Sequence, residues 1–385
     1  MPSSDALAML VLSGSNDRAV YAICRVARRL GLELHIVASG AQDHILCGAY
    51  RDQVCHVRSD RTLDAHRLAE WAVLARRRSA TPDASLVVLP SSEFLNRFLL
   101  VQDKAGVLRE LRLILPLVDQ ALYARLSDKD SASDWAHSLG LRVPRRLPGF
   151  GAEHLPLVAK PRSNIGPDGR VMYPQLIRSE DERQAFLAGE DSGHYFAQEM
   201  VEGNSRYLLG CLARDGRAWL HAQRNLAQQP AGKSMLLACS DDLHHSVLGQ
   251  QVVAGLRSAG FFGLFMIEFK GPREQPAFIE INPRPWGPLQ LCVDAGSGVV
   301  EAFLGDWLCG DPDRFAPAPQ AARRAHYLWS GGAFETWRAG GHIRWHGRGG
   351  VGRWLQLLRA LPHDVYLRAD SWRVFWRELR GHPAH

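Results

Sequence analysis

FMIEFKGPREQPAFIEINPR, residues 265–284, decides the fold. Two strongly apolar runs each carry one central carboxylate, Glu268 and Glu280, and a polar turn joins them. That spacing suits two adjacent antiparallel strands. Side chains repeat every two residues along a strand, so Asn282 shares the face of Glu280 and Arg284 continues the row. A lone carboxylate is costly in an apolar strand. Two carboxylates and a carboxamide oxygen on one face form a hard-oxygen site of the kind Mg²⁺ takes. The same residues also fit a solvated sheet face on which the carboxylates pair with arginines.

Upstream, RYLLGCLARDGRAWLHAQRN (206–225) has Asp215-Gly216 between two strand-like runs, a hairpin signal. His244 to Gly260 reads as a helix, with His244-His245 at its start and their side chains pointing apart. LVAKP (157–161) is a strand ending near Lys160, and a loop with Gly166 and Gly169 follows it. Ser179 and Glu182 form a capping box for a helix to about Glu190. HYFAQEMVEG (194–203) is a strand and a turn. LSDKDSASDWAHSLGLRVPR (126–145) is a capped helix from about Asp128 to Leu139, then an extended exit.

The first 120 residues alternate apolar runs with helical patterns. Strands at 7–13, 32–38 and 85–90, with helices at 17–30 and 60–78, imply a parallel sheet with crossover helices. Ligands of such sheets bind beyond the carboxyl ends of the strands, which marks the loops at 14–17 and 91–96. The apolar start, Ala6 to Leu12, lacks a preceding cation and reads as a buried strand rather than a signal peptide. Beyond residue 310 the composition shifts to Trp, Arg and Gly. A basic amphipathic helix there carries Trp354, Leu357, Leu358 and Leu361 on one face, expected to pack on its own domain.

The 385 residues allow two or three domains. With 46% hydrophobic and 22% charged residues, the chain falls in the soluble globular class. No apolar run approaches the roughly 20 residues of a membrane helix. Seven cysteines without a CxxC argue against disulfide and zinc frameworks, and a cytoplasmic location is expected. The net charge of +6 comes with no nucleic-acid recognition motif, so it reads as surface arginine. Only five lysines occur: Lys104, Lys129, Lys160, Lys233 and Lys270. In a chain that solubilises itself with arginine, a lysine points to a need for a compact ammonium.

Together these segments resemble the ATP-grasp superfamily, most closely relatives of biotin carboxylase and carbamoyl phosphate synthase, over roughly residues 1 to 310. The match is an ordered series. Lys129 precedes the ATP-covering subdomain, and Lys160 ends a strand before a glycine-containing flap. Gln198, Glu199, Met200 and Val201 resemble the hinge strand that touches adenine, and Glu202 follows. Glu268, Glu280, Asn282 and Arg284 close the series. INPRPWGPLQLCVDAG and LVVLPSSEFLNRFLL are similar to carbamoyl-phosphate-synthase-like ATP-grasp proteins.

The resemblance implies an α/β ATP-grasp fold. A Rossmann-like pre-ATP-grasp domain would span 1–122, a small lid subdomain 123–204, a large subdomain with the metal site 205–310, and a helical extension 311–385. It implies ATP held by Lys129, Lys160, Gly166, Gln198, Glu199, Val201 and Glu202 or Asn204. One or two Mg²⁺, or Mn²⁺ in its place, would sit on Glu268, Glu280 and Asn282. Arg284 and Lys160 are the implied catalytic contacts, with Arg224 and Arg206 of second rank. The implied reaction activates a carboxylate as an acyl phosphate for attack by an amine, releasing ADP and phosphate. Carboxylation, kinase-like phosphotransfer and nucleotide-dependent regulation are the alternatives. Two glycines are few for a flap of this superfamily. Trp286, Asp294 and Gly296 fit substrate contact or packing equally. The expected partners are a small carboxylate and an amine, with no nucleic acid and no integral membrane segment. A homodimer is the base-rate assembly.

Overall fold

The computed structural model describes residues 8–162, 172–230, 233–316, 323–346 and 349–381. Strands β1 (Ala8–Leu12), β2 (Glu33–Ala38), β3 (Val54–Val57), β4 (Leu86–Pro90) and β5 (Leu113–Ile114) form a parallel sheet in the order β3-β2-β1-β4-β5. Strands β1 and β4 are buried along their whole length, as expected where helices cover both faces. Helix Asp17–Arg29 follows β1, and Gly31 leaves it at a φ of +68°. Helix Ala65–Arg78 begins later than residue 60, because Asp64 accepts from the Arg67 amide as its cap. Asp60 instead closes the preceding turn through the Thr62 amide. Strands β3 and β5 had no legible signal; they are short and lack a regular apolar alternation.

A small antiparallel sheet follows: β6 (Leu157–Pro161), β7 (Gln175–Ile177) and β8 (Tyr195–Glu199), in the order β7-β6-β8. The large sheet has β9 (Asn204–Leu212), β10 (Ala218–Gln228), β11 (Met235–Asp241), β12 (Gly263–Gly271), β13 (Ala277–Asn282), β14 (His326–Leu328) and β15 (Arg344–Trp345). Its order is β13-β12-β9-β10-β11-β14, and β15 pairs with β10. The Asp215-Gly216 hairpin joins β9 and β10, with Gly216 at a φ of +86°. The described residues thus form one parallel sheet and two antiparallel sheets, the layout that the resemblance implied.

One continuous core ties the first sheet to the large one. Met9, Val11 and Ile36 join a cluster that includes Leu209, Met266, Leu289, Phe303, Tyr327 and Val374. Trp286 is 1% exposed within it, so this residue packs rather than lining a pocket. The last segment is not purely helical, since it adds β14 and β15 to the large sheet. Helix Val351–Ala360 departs from expectation in another way. Leu357 packs inward, but Trp354 and Leu358 are 69% and 64% exposed, so most of the apolar face points outward.

Two glycines let the small sheet hand the chain to the large one. Gly203 at a φ of +113° passes Gly271 at +119°, and a Cβ on Gly203 would lie 2.9 Å from the Gly271 Cα. Gly203→Ala is expected to cost roughly 1–3 kcal/mol through strain and backbone overlap. Thermal unfolding should show a lowered Tm for it, and none for Gly193→Ala, whose Cβ would meet nothing within 4 Å. An equal Tm for both variants would show that the crossing tolerates a side chain.

Candidate active site

The register of β12 and β13 sets Glu268 directly opposite Glu280. Paired residues in an antiparallel ladder point the same way, so the two carboxylates lie side by side. Tyr207 of β9 and Gln223 of β10 extend the same row. Asn282 Nδ2 donates to Glu280 Oε1 at 2.9 Å, and Arg284 Nη2 donates to Asn282 Oδ1 at 3.0 Å. The expected row 280–282–284 thus exists as a bonded series.

Glu268 has a second line of support. Ser205 Oγ donates to its Oε1 at 2.6 Å. Asn225 Nδ2 donates to Ser205 Oγ at 2.7 Å, and Gln223 Nε2 to Asn225 Oδ1 at 2.8 Å. Burial, and after it the charge of Glu280, push the Glu268 carboxyl up to about 7. Two adjacent carboxylates without a cation between them carry a standing electrostatic cost. A divalent ion coordinated by oxygen relieves it, so the donor set fits Mg²⁺.

Lys129 is the first residue of helix Lys129–Ser138, whose cap is Asp128. A cation there opposes the helix dipole, so helix stability does not account for it. Burial lowers its ammonium to about 8, with Lys160 pushing the same way and Glu280 pulling it back. Lys160, on β6, is 7% exposed, and its Nζ donates to the Ile279 carbonyl at 3.1 Å. Burial lowers it too, against the attraction of Glu280 and Glu268. Both lysines therefore lie within electrostatic reach of the carboxylate pair.

In the hinge segment, Gln198 is buried, and its Nε2 donates to the Pro144 carbonyl at 3.1 Å. Glu199 pairs with Arg142 at 3.6 Å and Arg145 at 3.8 Å. Val201 is buried beside Gly271, Glu202 is exposed, and Asn204 pairs with Gly271 in the sheet. Gly166 and Gly169 lie outside the described residues.

Arg224 and Arg206 do not face this floor. They pair with each other one position beyond the Gln223–Tyr207–Glu268 row, and alternation turns them to the opposite side of the sheet. Arg224 is exposed, with Nη2 at 3.7 Å from Cys239 Sγ. Arg206 is buried against Asp241 at 3.5 Å and donates to the Gly271 carbonyl. Asp294 is also structural, bonded to Gln290 and Arg368, and Gly296 ends a helix at a φ of +65°. His244 and His245 do not diverge. A short 3₁₀ turn, Leu243–His245, brings their rings to 3.9 Å, before Ser246 caps the α-helix.

Other contributors come from the loops at 14–17 and 91–96, which the sequence marked without singling out their residues, and from Tyr123, which it did not mark. Arg284 Nε lies 3.3 Å from Glu93 Oε2, at the start of helix Glu93–Lys104 in the loop region after β4. Tyr123 donates to the same oxygen at 2.6 Å, and Asn96 donates to the Tyr123 hydroxyl at 2.7 Å. Asn16, after β1, donates to the Pro285 carbonyl at 3.1 Å. The carboxyl ends of β1 and β4 therefore meet the loop after β13. The alternating polar residues Gln223 and Asn225 in an apolar strand were the available signal for the Glu268 support.

No family model matches the chain, and no curated protein matches it. Solved structures do match. The biotin carboxylase domain of Hydrogenobacter thermophilus 2-oxoglutarate carboxylase, in complex with MgADP, ADP and bicarbonate, superposes with a TM-score of 0.60. It is 13% identical, over 84% of this chain and 74% of that one. Campylobacter jejuni biotin carboxylase, in an ATP complex, gives 0.60 at 15% identity, over 85% and 75%. N5-carboxyaminoimidazole ribonucleotide synthetase from Thermus thermophilus gives 0.57 at 17%, over 83% and 81%. The chain has the fold of these ATP-grasp enzymes.

The assignment of faces is testable. Lys160→Gln is expected to weaken Mg-ADP binding at least about tenfold, the worth of one charge-assisted hydrogen bond. Arg224→Gln, on the far side, should stay within about twofold, as distant surface substitutions do. Calorimetric titration of both variants reads this, and equal losses would refute the face assignment.

Proposed function

We propose that this protein is an ATP-dependent carboxylate–amine ligase. The observation that carries the reading is the Glu268–Glu280 pair, backed by Asn282 and flanked by two buried lysines. Mg-ATP supplies the transferable phosphoryl group and the metal charge that offsets the developing anion. Glu268, Glu280 and Asn282 hold the one or two metal ions, with Mn²⁺ as a substitute. Lys129 and Lys160 hold the phosphates as point charges. Val201, Glu202 and Asn204 border the base and ribose, with Gln198 and Glu199 bracing that segment against residues 142–145. Arg284, oriented by Glu93, meets the transferred phosphoryl group and the acceptor carboxylate. The acyl phosphate then meets an amine, and exclusion of water protects it from hydrolysis.

The organisation that fits this chemistry is a first domain over 1–122, a lid over 123–204, a metal-bearing floor over 205–310 and a final segment over 311–385. The free cysteines, three of them buried, agree with a cytoplasmic setting. None of the described helices is long and apolar enough to cross a membrane. A carboxylating variant of the same chemistry is the second reading, favoured by the bicarbonate in the Hydrogenobacter structure.

The test is incubation with Mg-ATP, pooled carboxylates and hydroxylamine, following ADP and hydroxamate together. Carboxylate-dependent hydroxamate that disappears in Glu280→Gln is expected. ADP formed without hydroxamate, but dependent on bicarbonate, moves the assignment to carboxylation. A protein that does not bind Mg-ATP refutes both.

A pH dependence follows from Lys129. Burial, helped by Lys160 and opposed by Glu280 and Asp128, brings its ammonium down to about 8 in the free protein. Bound phosphate favours the charged form and raises that value. Nucleotide affinity is therefore full below about 8 and falls as pH rises through it. Lys129→Arg, charged throughout, should flatten the profile measured by titration between pH 7 and about 9.5.

A further inference from the structure

A second group of cations lies on the Glu268 side of the carboxylate pair. Lys270 follows Glu268 by two residues on β12 and pairs with Ser205, whose hydroxyl bonds Glu268. Alternation puts the Lys270 side chain on the Glu268 face. Arg344 reaches the same face from the other end of the chain. β15 pairs Arg344 with Gln228, and His346 Nε2 lies 2.9 Å from Gln228 Oε1. The Tyr207 hydroxyl is within reach of both Asn225 and Gln228, so this row faces Glu268 as well. Arg178, between β7 and helix Glu180–Leu187 of the small sheet, lies within electrostatic reach of Lys270 and Arg344.

These cations are short of counter-charge. Among the described residues no ion pair engages Lys270, Arg344 or Arg178 and no hydrogen bond engages their side chains, although the Arg178 amide donates to Glu182 Oε2 at 2.6 Å. Glu268 and Glu202 are the carboxylates that act on Lys270. Lys270 and Arg344 are half-buried, and Arg178 is exposed at the rim. Like charges brought together in a partly desolvated cleft cost stability unless something offsets them. Other half-buried arginines are satisfied within the fold: Arg25 by Asp370, Arg368 by Asp294, and Arg18, Arg58 and Arg76 by backbone carbonyls. This group has no such partner, and Lys270 and Arg344 share the sheet face of Glu268.

We propose that Lys270, Arg344 and Arg178 form an anion subsite, completed by the C-terminal segment, that takes a phosphate or carboxylate group of a bound small molecule. The subsite draws one residue from the floor, one from the small sheet and one from β15. Lys129 and Lys160 act on the Glu280 side of the pair and these three on the Glu268 side. The anion is a phosphate of the nucleotide or an acidic group of the co-substrate. The proposal rests on the ligase reading only for the identity of that neighbour.

Sulfate, which holds its charge across the working range, is the probe. Calorimetric titration of the full chain at low ionic strength should show saturable sulfate binding. Arg344→Gln and Lys270→Gln should each weaken it at least about tenfold, and Arg344→Lys should restore most of it. If Arg344→Gln fails to fold by circular dichroism, Arg178→Gln at the exposed rim replaces it, with the same expected loss. Wild-type sulfate affinity in these variants, or a loss confined to Lys129→Gln, overturns the subsite. Mg-ADP that displaces the sulfate assigns the site to the nucleotide; simultaneous binding assigns it to the co-substrate. Arg344-dependent sulfate binding in a protein that does not bind Mg-ATP would refute the ligase reading and leave the subsite standing.

Discussion

Two carboxylates that repel each other are held face to face across β12 and β13. A sheet ladder allows neither to swing away, and burial strips both of much of their water. The surroundings divide the cost. Ser205, Asn225 and Gln223 hand hydrogen-bond donors along to Glu268, and Asn282 donates to Glu280. Lys160 and Lys129 add positive charge at a distance. Neither lysine forms an ion pair with the carboxylates among the described residues. The arrangement leaves room for cations and anions to enter together, the electrostatic logic of a metal–polyphosphate site.

That pair also explains why the two halves of the molecule meet where they do. Arg284 lies two residues beyond Asn282 and pairs with Glu93, at the start of the helix after β4. Glu93 is itself shared with Tyr123 and with Arg97. The acidic group that orients Arg284 thus comes from the carboxyl end of a parallel strand, the place where α/β sheets present their loops. The shared apolar core packs the first sheet against the helices that follow β13.

Much of the site was legible because strand alternation is a strict geometric rule. It put Glu280, Asn282 and Arg284 in one row, and the structure shows them bonded in that row. The same rule, applied across the hairpin, would have excluded Arg224. That needed the register of β10 against β9, and a turn signal does not state which residues end up opposite. The exposed face of helix Val351–Ala360 was misjudged for a related reason. A periodic apolar stripe shows that a helix has two faces, not which of them the domain covers.

Sequence by itself determined the elements and their chemistry: apolar runs that must be buried, carboxylates in strands, lysines where arginine is the habit, and caps at Asp128 and Ser179. These are local properties, set by side-chain type and periodicity. Only the tertiary structure decided which distant groups share a surface. Glu93 beside Arg284 and Arg344 beside Lys270 are separated by long stretches of chain, and no periodicity links them. Such pairings follow from strand register and sheet order, in which a one-residue slip reverses every side chain.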